Sequence, residues 1–165
     1  MRSMASPFLS VGLLAFVMLS YVACAQQGAM TAAMRQQETE MIDESAGWND
    51  DLAEWRSQDE EIRAWHALHD STHALPAATV ASHLEAMSQH EEKVATFQTL
   101  LDDHRARVQE ETAKPESRRA GSHPELWADH LRLKEDFESL RHAHEVLARD
   151  HAQLVERVEP SAARP

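Results

Sequence analysis

Histidines recur at seven-residue intervals along the second half of this chain, and imidazole both binds transition metals and titrates near neutral pH. The chain has 11 histidines among 165 residues. Two series keep the interval, each with one phenylalanine in it: His83, His90, Phe97, His104 and His123, His130, Phe137, His144, His151. Because side chains seven residues apart lie on one face of an α-helix, each series predicts a line of imidazoles along one helix.

Apolar residues accompany both histidine series at a spacing of three residues. They are Val80, Met87, Val94, Leu101, Val108 and Leu126, Leu133, Leu140, Leu147, Leu154. Two columns with this spacing form the a and d seam of a coiled coil. The pattern therefore predicts two long helices, over residues 76–113 and 123–158, that bury imidazoles and apolar side chains along the same contact.

The linker between these helices, residues 114–122, is too short for anything but an antiparallel hairpin. In such a hairpin, each heptad forward in one helix meets one heptad backward in the other. A single register then places histidine opposite histidine, apolar residue opposite apolar residue, and Phe97 opposite Phe137. A shift by one heptad would lose most of these matches, so the pattern specifies the register.

A third helix is predicted over residues 34–71, before a turn that Pro76 ends. Its two columns are Met34, Met41, Trp48, Trp55, Ile62, His69 and Glu38, Ser45, Leu52, Asp59, His66, His73. Gly47 lies inside this helix and costs about 1 kcal/mol relative to alanine, which makes it the expected weak point. The turn folds this helix back on the second one, in a second register that places Ile62 beside Met87 and Trp55 beside Val94.

These elements predict an all-α fold, an elongated antiparallel three-helix coiled-coil bundle over residues 34–159. Four glycines and one tyrosine are too few for a β-rich fold. The alternative architecture pairs the hairpins of two chains into a four-helix dimer and leaves the first helix at the edge.

Combining the two registers predicts layers that hold one side chain from each helix, and two of these layers are candidate metal sites. The first is His66, His83, His151, which His69 or His73 could complete; the second is Asp59, His90, His144. With no thiolate in the bundle, the ions that suit these ligands are Zn²⁺, Cu²⁺, Ni²⁺ and Co²⁺. In the competing interpretation, the polar layers only fix the helix register and bind no ion.

The N-terminus has the pattern of an export signal, with Arg2 before an apolar run over residues 8–21. We predict a signal peptide over 1–24, a tether over 25–33 and a disordered tail over 160–165. Cleavage after Ala25 is one interpretation. In the other, Val22-Ala23-Cys24 resembles the bacterial lipobox, which implies lipidation of Cys24. The protein is then exported, to the periplasm, the outer membrane or the medium, and a lipid at Cys24 is its only expected membrane attachment.

Composition limits the function classes. A net charge of −12 does not suit a nucleic-acid binder, which needs clustered Lys and Arg. Neither a phosphate-binding glycine loop nor a His-Glu-x-x-His motif occurs, so we expect no enzyme. The leading hypothesis is a structural or interaction module of a bacterial envelope, with a protein partner or self-association. The alternative is a periplasmic protein that binds or senses transition metals. No further cofactor is expected.

Overall fold

The computed structural model describes the backbone of residues 8–69, 75–119 and 121–162, and the side chains of 31–69, 75–115, 118–119 and 121–158. This part of the chain is helical and contains no strand, which confirms the all-α prediction. Its elements are α1 (Phe8–His69), α2 (Ala77–Thr112), α3 (Glu116–Arg119) and α4 (His123–Ala162). Residues 1–40 and 41–165 form two compact units, and the second unit contains both candidate metal sites.

Helix α1 begins at Phe8, far before the predicted start at residue 34. Alanine, glutamine, methionine and leucine are frequent between residues 8 and 40, and no proline interrupts them, so helix propensity continues through the predicted tether. The side chain of Cys24 lies outside the described residues, and both the signal peptide and the lipidation stay predictions. No helix in the described part of the chain has a segment long and apolar enough to cross a membrane.

The predicted bounds of the other two long helices are closer to the structure. Helix α2 ends at Thr112, and α4 begins at His123. Helix α4 continues past the predicted stop at Glu159-Pro160 to Ala162, because a proline near a helix end removes one hydrogen bond but keeps a helical φ. The part of the predicted tail over 163–165 lies outside the described residues.

Three helices pack together within the unit of residues 41–165. The rings of Phe97 and Phe137 lie 5.6 Å apart, as the predicted register of α2 against α4 requires. The apolar clusters are Trp48, Leu52, Trp55, Val94, Phe97, Leu101, Leu133, Phe137, Leu140; Ile62, Met87, Leu147; and Met41, Val108, Leu126. Each cluster takes residues from α1, α2 and α4, so the predicted contacts of the apolar layers are confirmed.

The linker between α2 and α4 contains the short helix α3, where the sequence predicted only a loop. The hydroxyl of Ser122 donates a hydrogen bond to the carboxylate of Glu111. Lys114 Nζ lies 2.8 Å from the same carboxylate. The hydrogen bonds from Lys114 and Ser122 hold the pKa of Glu111 below its ordinary value. This buried carboxylate therefore links the end of α2 to the residue before α4.

Candidate metal centres

The three-histidine site consists of His66 from α1, His83 from α2 and His151 from α4. One possible ligand atom from each residue lies within 4.8 Å of the other two. The ring centroids are 5.0 Å apart for His66 and His83, and 5.6 Å apart for His83 and His151. A tetrahedral Zn²⁺ ion, with bonds of roughly 2.0–2.1 Å, holds its nitrogen ligands about 3.4 Å apart. Small side-chain rotations would therefore bring the three imidazoles onto one ion.

Two of these residues, His83 and His151, lie in surroundings that favour the neutral imidazole. Burial lowers the pKa of His83, against the opposing charge of Asp150. Burial, and then the charge of His83, lower the pKa of His151. His83 Nε2 and His151 Nδ1 are buried and have no hydrogen-bond partner within the described residues. A neutral ring with an unused nitrogen is the form that binds a metal ion.

Trp65 borders the three-histidine site with the edge-to-face contacts of its indole ring. Its centroid lies 5.1 Å from His66 and 5.0 Å from His151. His69, one of the two predicted additional ligands, stacks on Trp65 at 4.4 Å, and its Nδ1 lies 2.8 Å from the Trp65 carbonyl oxygen. His69 is not part of the ligand cluster, and His73 lies outside the described residues.

The carboxylate site consists of Asp59 from α1, His90 from α2 and His144 from α4. Their possible ligand atoms also lie within 4.8 Å of one another, and all three residues are buried. His144 Nδ1 and His90 Nε2 are 3.1 Å apart. Trp55 stacks on the ring of His144 at a centroid distance of 4.8 Å. The structure thus brings together both sets of ligands that the sequence predicted.

Hydrogen bonds around the carboxylate site determine which nitrogen carries each proton. The Gln58 amide nitrogen donates to Glu54, so its Oε1 is the atom that lies 2.8 Å from His144 Nε2. An amide oxygen can only accept, which makes His144 Nε2 the donor and leaves a lone pair on Nδ1 of the neutral ring. His90 Nε2 must then donate to that lone pair. The remaining nitrogen, His90 Nδ1, consequently keeps its own lone pair.

The carboxylate site therefore contains two hydrogen-bond acceptors to which no described residue donates. Neither Asp59 Oδ1 nor His90 Nδ1, both buried, has a hydrogen-bond partner in the described part of the chain. Burial, aided by Glu91, raises the pKa of Asp59 to about 6, while Arg63 opposes the shift. Burial, and then His144, lower the pKa of His90 to about 4. A buried carboxylate oxygen and a buried ring lone pair without a donor are each costly unless a proton or a metal ion satisfies them.

A related layer, here called the serine layer, consists of Ser45, His104 and His130. His130 Nδ1 and His104 Nε2 are 3.2 Å apart, and His130 Nε2 lies 3.0 Å from Glu44 Oε2. His104 Nδ1 and Ser45 Oγ are buried with no partner among the described residues. Burial, and then His130, lower the pKa of His104 to about 4. The layer repeats the carboxylate site with a hydroxyl in place of the carboxylate.

Sequence reasoning identified the ligands but missed the residues that orient them. Gln58 and Glu44 each precede the α1 member of their layer, and each accepts a hydrogen bond from an α4 histidine. Lys134 Nζ forms a salt bridge with the other carboxylate oxygen of Glu44, Oε1. The only sequence signal is that both positions have an acceptor oxygen and stand 14 residues apart, as Asp59 and Ser45 do.

A search of protein-family models, of characterised proteins and of solved structures finds no match to this chain.

Proposed function

We propose that this chain is an exported, non-enzymatic coiled-coil protein that binds transition-metal ions in its three-histidine and carboxylate sites. Zn²⁺, Cu²⁺, Ni²⁺ and Co²⁺ are the ions that three imidazoles, or two imidazoles and one carboxylate, favour. The predicted signal peptide supports the exported location, with lipidation of Cys24 as the predicted attachment to a membrane.

The orphaned acceptors of Asp59 and His90 are the observation that carries this proposal. A register-fixing layer needs hydrogen bonds that satisfy its own members. This layer instead leaves a buried carboxylate oxygen and a buried ring nitrogen without a hydrogen-bond partner in the described part of the chain, in a cluster whose three residues each offer a ligand atom. Removing Asp59 from water has a free-energy cost, and a bound ion would offset it.

The second candidate function is a purely structural one, in which the layers only select the register of the helices. The serine layer favours it, because this layer has the same hydrogen-bonded histidine pair as the carboxylate site, and a ring nitrogen without a partner among the described residues, although Ser45 is a poor metal ligand. The carboxylate site and the serine layer differ in the ligand position on α1, which is Asp59 in the site and Ser45 in the layer.

A titration with each of the four ions, followed by the melting temperature and by the number of ions bound, tests the proposal. We expect two ions per chain and a rise in melting temperature, since an ion at 100 times its Kd adds about 2.7 kcal/mol to the free energy of unfolding. Asp59→Ser should reduce the number of bound ions to one. No rise with any ion would overturn metal binding.

Ser45→Asp is the matched gain-of-function variant. It gives the serine layer the ligands of the carboxylate site, so we expect a third bound ion. Without metal the variant should melt at a lower temperature than the wild type, because the new carboxylate is buried.

A further inference from the structure

The three-histidine and carboxylate sites differ in how closely protein encloses them. Asp59, His90 and His144 are 2%, 4% and 5% exposed. His151 of the three-histidine site is only partly buried. An ion therefore has a shorter path from solvent to the three-histidine site than to the carboxylate site.

A surface groove of about 500 Å³ between α2 and α4 reaches the three-histidine site. His83, itself 7% exposed, lines this groove together with Ser82, Ala86, Asp150 and Leu154. Small side chains form the α2 wall, which leaves room above the imidazole. The buried Nε2 of His83 has no hydrogen-bond partner within the described residues.

One carboxylate, Asp150, and one guanidinium, Arg157, line the groove, and Asp150 is the one whose charge acts on this imidazole. Its charge acts on His83, where it opposes the effect of burial on the pKa. A carboxylate attracts a divalent cation even at the dielectric constant of water, so the local ion concentration rises in dilute salt.

We propose that this groove is the entry route for the metal ion, with Asp150 as the residue that attracts it and His83 as the first ligand. Ions in the three-histidine site then exchange readily with solvent. Ions in the carboxylate site stay bound until the helices separate locally, because Trp55 and the buried layer cover them. This inference rests on the metal binding proposed above.

Extraction of Zn²⁺ from the loaded full-length protein by an excess of a chromogenic chelator tests the route. We expect two phases of one ion each, with rates that differ by at least roughly tenfold, since local opening of a packed core limits only the slower phase. Asp59→Ser should keep the fast phase alone, and His151→Gln should keep the slow phase alone.

Two groove variants identify the route itself. Asp150→Asn should slow Zn²⁺ uptake into the three-histidine site by roughly three- to tenfold in dilute salt, and by less at 1 M salt. Asp136→Asn is its matched control, because it lies two heptads away on the same helix, in a different groove. Ala86→Leu should slow uptake at any salt concentration by filling the groove, whereas the control Ala95→Leu should not.

The outcomes separate the two proposals. Failure to bind Zn²⁺ at equilibrium would overturn the proposed function and the route with it. Tight binding with one extraction rate for both ions, or uptake unchanged in both Asp150→Asn and Ala86→Leu, would overturn the route alone.

Discussion

Asp59 is the residue at which stability and the proposed function act against each other. Its folded pKa of about 6 lies above the ordinary value of 3.8, so the metal-free fold favours the protonated carboxyl. The stabilisation from this group is complete below pH 3.8 and is lost as the pH rises to 6. Above that pH the ionised, buried carboxylate weakens the fold unless a cation neutralises it.

Asp59→Asn should therefore stabilise the metal-free protein at pH 7.5, by up to about 3 kcal/mol. Urea unfolding in the presence of a chelator measures this change. The same variant should lose the ion of the carboxylate site. A lower stability than wild type at pH 7.5 would show that the carboxylate is compensated in the metal-free fold.

Gln58 is predicted to act on the carboxylate site through His144. Its amide oxygen fixes the proton on His144 Nε2, so the lone pair is on Nδ1, where an ion would replace the hydrogen bond from His90. Gln58→Leu should weaken Zn²⁺ binding at this site by about 10- to 100-fold, as loss of such a partner does in other metal sites. Calorimetric titration of the His151→Gln background isolates that site, and an unchanged Kd would remove Gln58 from the mechanism.

At the scale of elements, α1 keeps its helical conformation through Gly47, which the sequence identified as the weak point. A Cβ atom added at Gly47 would meet nothing within 4 Å, so the position has room for a side chain. The helix persists there because Ser45 and Trp48 on either side are buried against the other helices.

Gly47→Ala should stabilise the protein by about 0.5–1 kcal/mol, since alanine loses less backbone entropy than glycine on entering a helix. The midpoint of urea unfolding measures this gain. Gly121→Ala is the matched control, because Gly121 also has open space around it but lies outside the helices. Equal effects of the two variants would contradict a cause specific to the helix.

The packing of α1, α2 and α4 could be predicted from sequence because heptad columns leave few registers. The contacts of Phe97 with Phe137, and of Ile62 with Met87, follow from spacing alone. The hydrogen bonds of Gln58 and Glu44 could not be predicted, since these residues lie beside the seam and their direction depends on side-chain rotamers. The start of α1 could not be predicted either, because export signals and helices share the same apolar residue types.

At the scale of the whole molecule, the buried histidines predict a stability that depends on pH. Burial lowers the pKa of five of them, which are His83, His90, His104, His144 and His151. The pKa falls to about 4 for His90 and His104. A lowered folded pKa means that the stabilisation is complete above the unfolded value of about 6.5 and is lost as the pH falls towards 4. Asp59 has the opposite dependence, but it is one group against five.

We therefore expect a lower melting temperature at pH 5 than at pH 7.5 for the metal-free protein, followed by circular dichroism. The double variant His104→Leu, His130→Leu should have a shallower profile, because it removes two of the buried imidazoles from the serine layer and leaves both metal sites intact. The same melting temperature at both pH values would mean that water solvates the histidines.

Anomalous diffraction from a crystal of the protein grown with Zn²⁺ shows whether ions occupy the histidine layers. We predict two peaks in the interior of the bundle, one within about 2.1 Å of nitrogens of His66, His83 and His151, and one bound by Asp59, His90 and His144. Interior layers without a peak, with zinc found only on surface carboxylates, would contradict the account.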